Sequence, residues 1–73
     1  MEAHFFFAPG GADILIMFRR VLPGGIRERN VVRLMPGEDF MGIPYDELAE
    51  AQGGVISMDA TASTAKISIR RAP

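Results

Sequence analysis

Short apolar stretches, cut apart by glycine and proline, make up most of this 73-residue chain. Within most of them polar and apolar positions alternate with a period of two, the signature of strands with one buried face. The cuts fall at Pro9-Gly10-Gly11, Pro23-Gly24-Gly25, Pro36-Gly37 and Gly53-Gly54, which are turn chemistry. Residues 12–22 fit two periods. Read as a helix, Ile14, Leu15, Met17, Phe18, Val21 and Leu22 share a face. Read as a strand, Ile14, Ile16, Phe18 and Leu22 do. The strand is favoured, because Ile16 falls on the polar side of the helix and β-branched and aromatic residues are frequent here. A turn and a well-formed strand pattern over residues 26–35 also follow directly.

The pattern predicts the pairing of these two strands. Setting Leu22 opposite Ile26 leaves Pro23-Gly24-Gly25 as a three-residue hairpin loop. Arg20 then faces Glu28, Phe18 faces Asn30, Ile16 faces Val32 and Ile14 faces Leu34. That side is mostly apolar, with an ion pair near the tip. The other side sets Val21 opposite Arg27, Arg19 opposite Arg29, Met17 opposite Val31 and Leu15 opposite Arg33. A slip of one residue would mix the two sides. A second hairpin is predicted at the C-terminal end. Ala60 faces Ala65 around a loop at residues 61–64. Met58 faces Ile67 and Ile56 faces Ile69 on an apolar side, while Asp59 meets Lys66 and Ser57 meets Ser68 on a polar one.

Between the hairpins one helix is expected, over about residues 44–52. Pro44 suits a first turn, and Asp46 and Glu47 suit the positive end of the helix dipole. Tyr45, Leu48, Ala49 and Gln52 share a face, and Gly53 is placed to supply a left-handed stop. Residues 37–43 read as a loop, with Phe40, Met41 and Ile43 folding over the core. Phe5-Phe6-Phe7 reads as a short first strand. The fold class is therefore α+β, with element order βββαββ: a small antiparallel sheet or a five-stranded barrel-like fold, with one short helix. This order is that of oligonucleotide-binding barrels and resembles small five-stranded barrels in general, including SH3-like ones. An open sheet with the helix packed on one face is the competing architecture.

Length and composition predict a single domain over residues 1–73. Apolar residues make up 48% of the chain and Cys is absent. A chain this short and this apolar, without disulfides, is expected to leave apolar surface for a second chain. Met17, Met35, Met41 and Met58 lie at apolar positions and read as core filling. The apolar run at the N-terminal end is interrupted by Pro9, Gly10, Gly11 and Asp13, which speaks against a signal peptide or a membrane span. A cytoplasmic protein is the expectation.

Charge changes the picture more than composition does. The net charge of −1 hides a segregated chain. Arg19, Arg20, Arg27, Arg29 and Arg33 form one basic stretch; Lys66, Arg70 and Arg71 form another. Between residues 34 and 65 every charged residue is acidic: Glu38, Asp39, Asp46, Glu47, Glu50 and Asp59. Chemistry looks poorly supplied. His4 is the sole His, no Cys is present, and neither P-loop nor G-x-G-x-x-G spacing occurs. No zinc or calcium ligand pattern is found. No catalytic residue, cofactor or metal is expected.

Arg19, Arg27, Arg29 and Arg33 are the leading candidates for partner contact, since guanidinium groups suit carboxylate or phosphate. Asp46, Glu47 and Glu50 are the mirrored acidic candidates. The expected function is that of a non-enzymatic protein-binding module, a small regulator or inhibitor that masks a partner surface or assembles as a homodimer. The alternative is a small nucleic-acid-binding barrel using the same Arg face. A slightly acidic net charge and the lack of aromatics between those Arg residues count against it.

Overall fold

The computed structural model of the chain describes residues 2–58 and 67–71. The elements are β1 (Glu2–Phe7), β2 (Ile14–Val21), β3 (Arg27–Leu34), β4 (Asp39–Phe40), β5 (Ile43–Pro44), α1 (Tyr45–Ala51), β6 (Gly54–Met58) and β7 (Ile67–Arg71). Five of the strands form one antiparallel sheet in the order β3-β2-β1-β6-β7, and β4 and β5 form a separate two-stranded sheet. The α+β antiparallel class holds. The barrel does not: β3 and β7 are open edges, and no pairing among the described residues joins them. The reason lies in the segment between β3 and β6. It folds back as β4, β5 and α1 over one side of the sheet, so that side is sealed by a second layer and not by sheet closure.

Residues 12–22 settle as strand. All eight β2–β3 pairs predicted by alternation are present, from Ile14↔Leu34 to Val21↔Arg27. Leu22 N donates to Ile26 O at 2.7 Å, which closes the Pro-Gly-Gly loop, and Gly24 and Gly25 both take the left-handed φ such a loop needs. In the second hairpin Met58↔Ile67, Ser57↔Ser68 and Ile56↔Ile69 pair as expected. The predicted Asp59–Lys66 and Ala60–Ala65 pairs and the loop at 61–64 lie outside the described residues.

β1 is longer than the Phe5–Phe7 run suggested, and it occupies the centre of the sheet. It pairs with β2 through Ala3↔Phe18 to Phe7↔Ile14 and with β6 through Glu2↔Ser57 to Phe5↔Gly54. Its alternate residues Ala3 and Phe5 join Ile14, Ile16, Leu34 and Ile56 in the core. Leu48 of α1, with Phe40 and Ile43 of the small hairpin, covers them from above. Leu48 is fully buried and is the one buried residue of α1. Phe18 and Phe40 extend this contact as a tilted ring pair with centroids 5.7 Å apart.

Three local expectations are corrected. Residues 37–43 are not plain loop: they hold β4 and the start of β5, joined by a turn in which Met41 has φ 50° and Gly42 φ 86°. That turn points Met41 outward, so it does not fold over the core. Met17 and Met35 are exposed as well, because both fall on positions the second layer does not cover. The left-handed residue that ends α1 is Gln52, at φ 62°, not Gly53. Gly53 follows at φ 120° and lies against the β1 backbone.

Candidate functional site: the open face of the sheet

With the second layer on one side, period-two alternation leaves the other side bare. It carries Glu2, His4 and Phe6 from β1, Leu15, Met17, Arg19 and Val21 from β2, Arg27, Arg29, Val31 and Arg33 from β3, and Val55 and Ser57 from β6. Registers place them in rows across the strands. One row runs Val31–Met17–His4–Val55 and the next carries Arg33–Leu15–Phe6. Phe6 is 41% exposed, Met17 46% and Val31 62%. Side chains of this kind, set side by side in the middle of a sheet, are exposed apolar surface in one patch.

Arg19, Arg27 and Arg29 sit at one end of this patch, and Arg33 at the other. Arg19 faces Arg29 directly across the β2–β3 ladder, and Val21 faces Arg27. Opposed like charges in a ladder are mildly destabilising. Among the described residues the ion pairs are Arg20–Glu28 at 3.5 Å and Arg33–Asp13 at 2.6 Å. Arg19, Arg27 and Arg29 have no carboxylate partner within that set. A shallow depression lies between them and the apolar row, lined by Glu2, His4, Met17, Arg19, Arg29 and Val31, with Phe18 and Asn30 at its margin. Asn30, opposite Phe18 on the covered side of the sheet, has its Nδ2 buried without a hydrogen-bond partner among the described residues.

The structure thus brings Arg19, Arg27, Arg29 and Arg33 to one face, as the strand pattern implied. Arg33 differs from the rest because Asp13 holds its guanidinium. The acidic candidates Asp46, Glu47 and Glu50 are exposed on α1, on the far side of the sheet, so they and the Arg cluster belong to opposite faces of the molecule. Other acids serve the chain itself. Glu38 accepts from Met35 N at 2.6 Å, and Asp39 accepts from Gly42 N at 3.1 Å, each closing a tight turn.

Sequence reasoning missed the contribution of β1. Aromatics looked absent from the Arg face, but pairing of β1 with β2 sets Phe6 beside Leu15 and His4 beside Met17 on that face. The alternation Glu2, His4, Phe6 against Ala3, Phe5 was the available signal. Comparison with protein-family models, curated proteins and solved structures finds no match. Among the described residues no helix is long and apolar enough to cross a membrane.

Proposed function

We propose that this chain is a non-enzymatic protein-binding module, a small regulator or inhibitor that masks a partner surface with the open face of its sheet. The observation that carries the reading is the row Val31–Met17–His4–Val55, exposed at its first three positions and half-buried at Val55, with Arg19, Arg27 and Arg29 at its end. An apolar centre with Arg at the rim is the composition of a protein interface. Guanidinium groups without a carboxylate partner among the described residues favour a partner that presents carboxylates around an apolar patch, and they speed its encounter. Absent Cys suits a reducing compartment, and a cytoplasmic setting is part of the same proposal.

The test is affinity capture with the tagged chain beside two variants, Met17→Glu and the triple Arg19→Glu/Arg27→Glu/Arg29→Glu. The same partner should be retained by the parent chain and lost by both variants. Retention by both would remove the open face from the reading.

One observation favours a second reading, a nucleic-acid-binding sheet. Phe6 and His4 share the face with Arg19 and Arg29, which supplies the stacking groups a single strand needs. The net charge of −1 weighs against it. Oligonucleotide titration decides: phosphate-driven binding weakens steeply as salt rises, and no binding at low salt removes this reading.

A further inference from the structure

We propose that a second copy of this chain occupies the open face, packed sheet against sheet about a twofold axis that runs along β1. The inference rests on the protein-binding reading above and names the partner. It follows from where the charges lie relative to the central strand. A twofold contact requires a surface complementary to itself. β1 is the middle strand of five, so an axis along it lays the β2–β3 half of each copy over the β6–β7 half of the other. Arg19, Arg27, Arg29 and Arg33 all belong to the first half; Val55 and Ser57, from the second, are uncharged. The β7 backbone position in register with Val55 is residue 70, and the axis sets that position across from the mate's Val31. Every guanidinium on β2 and β3 is then kept away from those of the mate, and the like charges that meet, Glu2 and its mate at the axis, lie one strand from Arg19 of each copy. An axis across the strands would stack β2 and β3 on themselves and set Arg against Arg, which costs binding energy.

The same geometry disposes of the other self-contact, Arg face against acidic α1. Those surfaces lie on opposite sides of the sheet. Joining them leaves one of each unsatisfied at the two ends, so the contact propagates and does not close. Of these two contacts, only the sheet face against itself closes into a pair. The apolar row supports it: Met17 of one copy comes over Val55 of the other, and His4 lies at the axis beside its mate. Five strands about 4.8 Å apart, five to eight residues long, give a face of about 500 Å² in plan before side-chain relief is counted. That approaches the roughly 800 Å² per partner of a standard interface.

Light scattering over a dilution series reads the outcome. The expected particle has twice the 8.0 kDa chain mass at high concentration and dissociates on dilution. Met17→Glu should give a folded monomer by circular dichroism, while Asp46→Lys/Glu50→Lys should remain a dimer. The chain has no Cys, so His4→Cys offers one thiol at the proposed axis. Sheets pack about 10 Å apart and both thiols point into the gap, so a short thiol-to-thiol cross-linker should join His4→Cys chains in pairs but leave Asp46→Cys chains single. A parent chain that stays monomeric at high concentration overturns the pair; if Met17→Glu still abolishes capture of another protein, the binding face itself survives that result. Assemblies larger than two that fall apart in Asp46→Lys/Glu50→Lys overturn it in favour of the propagating contact. Failure of His4→Cys to cross-link in a dimer overturns the axis.

Discussion

Arg33 Nε donates to Asp13 Oδ2 at 2.6 Å across twenty residues of sequence. The pair ties the inner end of β3 to the turn that joins β1 and β2, and it removes one of the four open-face Arg residues from the free set. Arg33 is well exposed, so the pair is a surface salt bridge, worth up to about 1 kcal/mol. Arg33→Ala should therefore lower stability by less than about 1 kcal/mol in urea denaturation, and weaken partner capture less than Arg19→Ala or Arg29→Ala does. Equal loss of capture from all three would show that Arg33 leaves Asp13 to bind.

Arg29→Glu should move stability and binding in opposite directions. Arg29 directly faces Arg19 in the free chain, and replacing a like-charge pair by an opposite one gains roughly 0.2–1 kcal/mol. The same change removes a group proposed to meet the partner. A raised denaturation midpoint together with lost capture is the expected result. A lowered midpoint would mean that the Arg cluster is held by contacts of its own.

Gly53 should tolerate no side chain. At φ 120° an added Cβ would lie 3.3 Å from Phe5 O, a backbone atom of the central strand. Strain of this kind costs about 1–3 kcal/mol. Gly53→Ala should lose that much, whereas Gly11→Ala, whose Cβ would meet nothing closer than 4.0 Å, should change stability by less than about 0.5 kcal/mol.

Leu48 carries the attachment of α1. It is fully buried among Ile14, Ile16, Ile56 and the β4–β5 residues Phe40 and Ile43. Leu48→Ala should cost about 2–5 kcal/mol and loosen the helix. Met35→Ala, at an exposed position, should stay within about 0.5 kcal/mol of the parent chain. Matching losses would mean that Met35 is covered in solution.

Local pairing was legible in the sequence; the order of strands was not. The β2–β3 register follows from alternation plus a Pro-Gly-Gly loop, because slipping β3 by one residue would turn Arg29 toward the core and Val32 and Leu34 away from it. Nothing local says that β1 lies between β2 and β6, since that choice is made by long-range burial of Ala3 and Phe5 against Ile16 and Ile56. The site was half legible for the same reason. Arg19, Arg27, Arg29 and Arg33 fall on one side by period two, while Phe6 and His4 reach them only through the strand order. Met17 and Val31 share the Arg side in that register, which already sets them outside the core. The apolar character of Met17 points to the core, and the register overrides it. The turn at Met41 and Gly42 was hidden because a left-handed Met leaves no compositional mark.

Methionine oxidation in the native host tests most directly whether the open face is a working surface. Met17 and Met41 are similarly exposed in the single chain, at 46% and 57%, but lie on opposite sides of the sheet. With the face covered by a partner or a second copy, mass spectrometry after brief peroxide treatment should find Met17 protected and Met41 oxidised, and the protection should vanish in Arg19→Glu/Arg27→Glu/Arg29→Glu. Equal oxidation of Met17 and Met41 in the parent chain would contradict it.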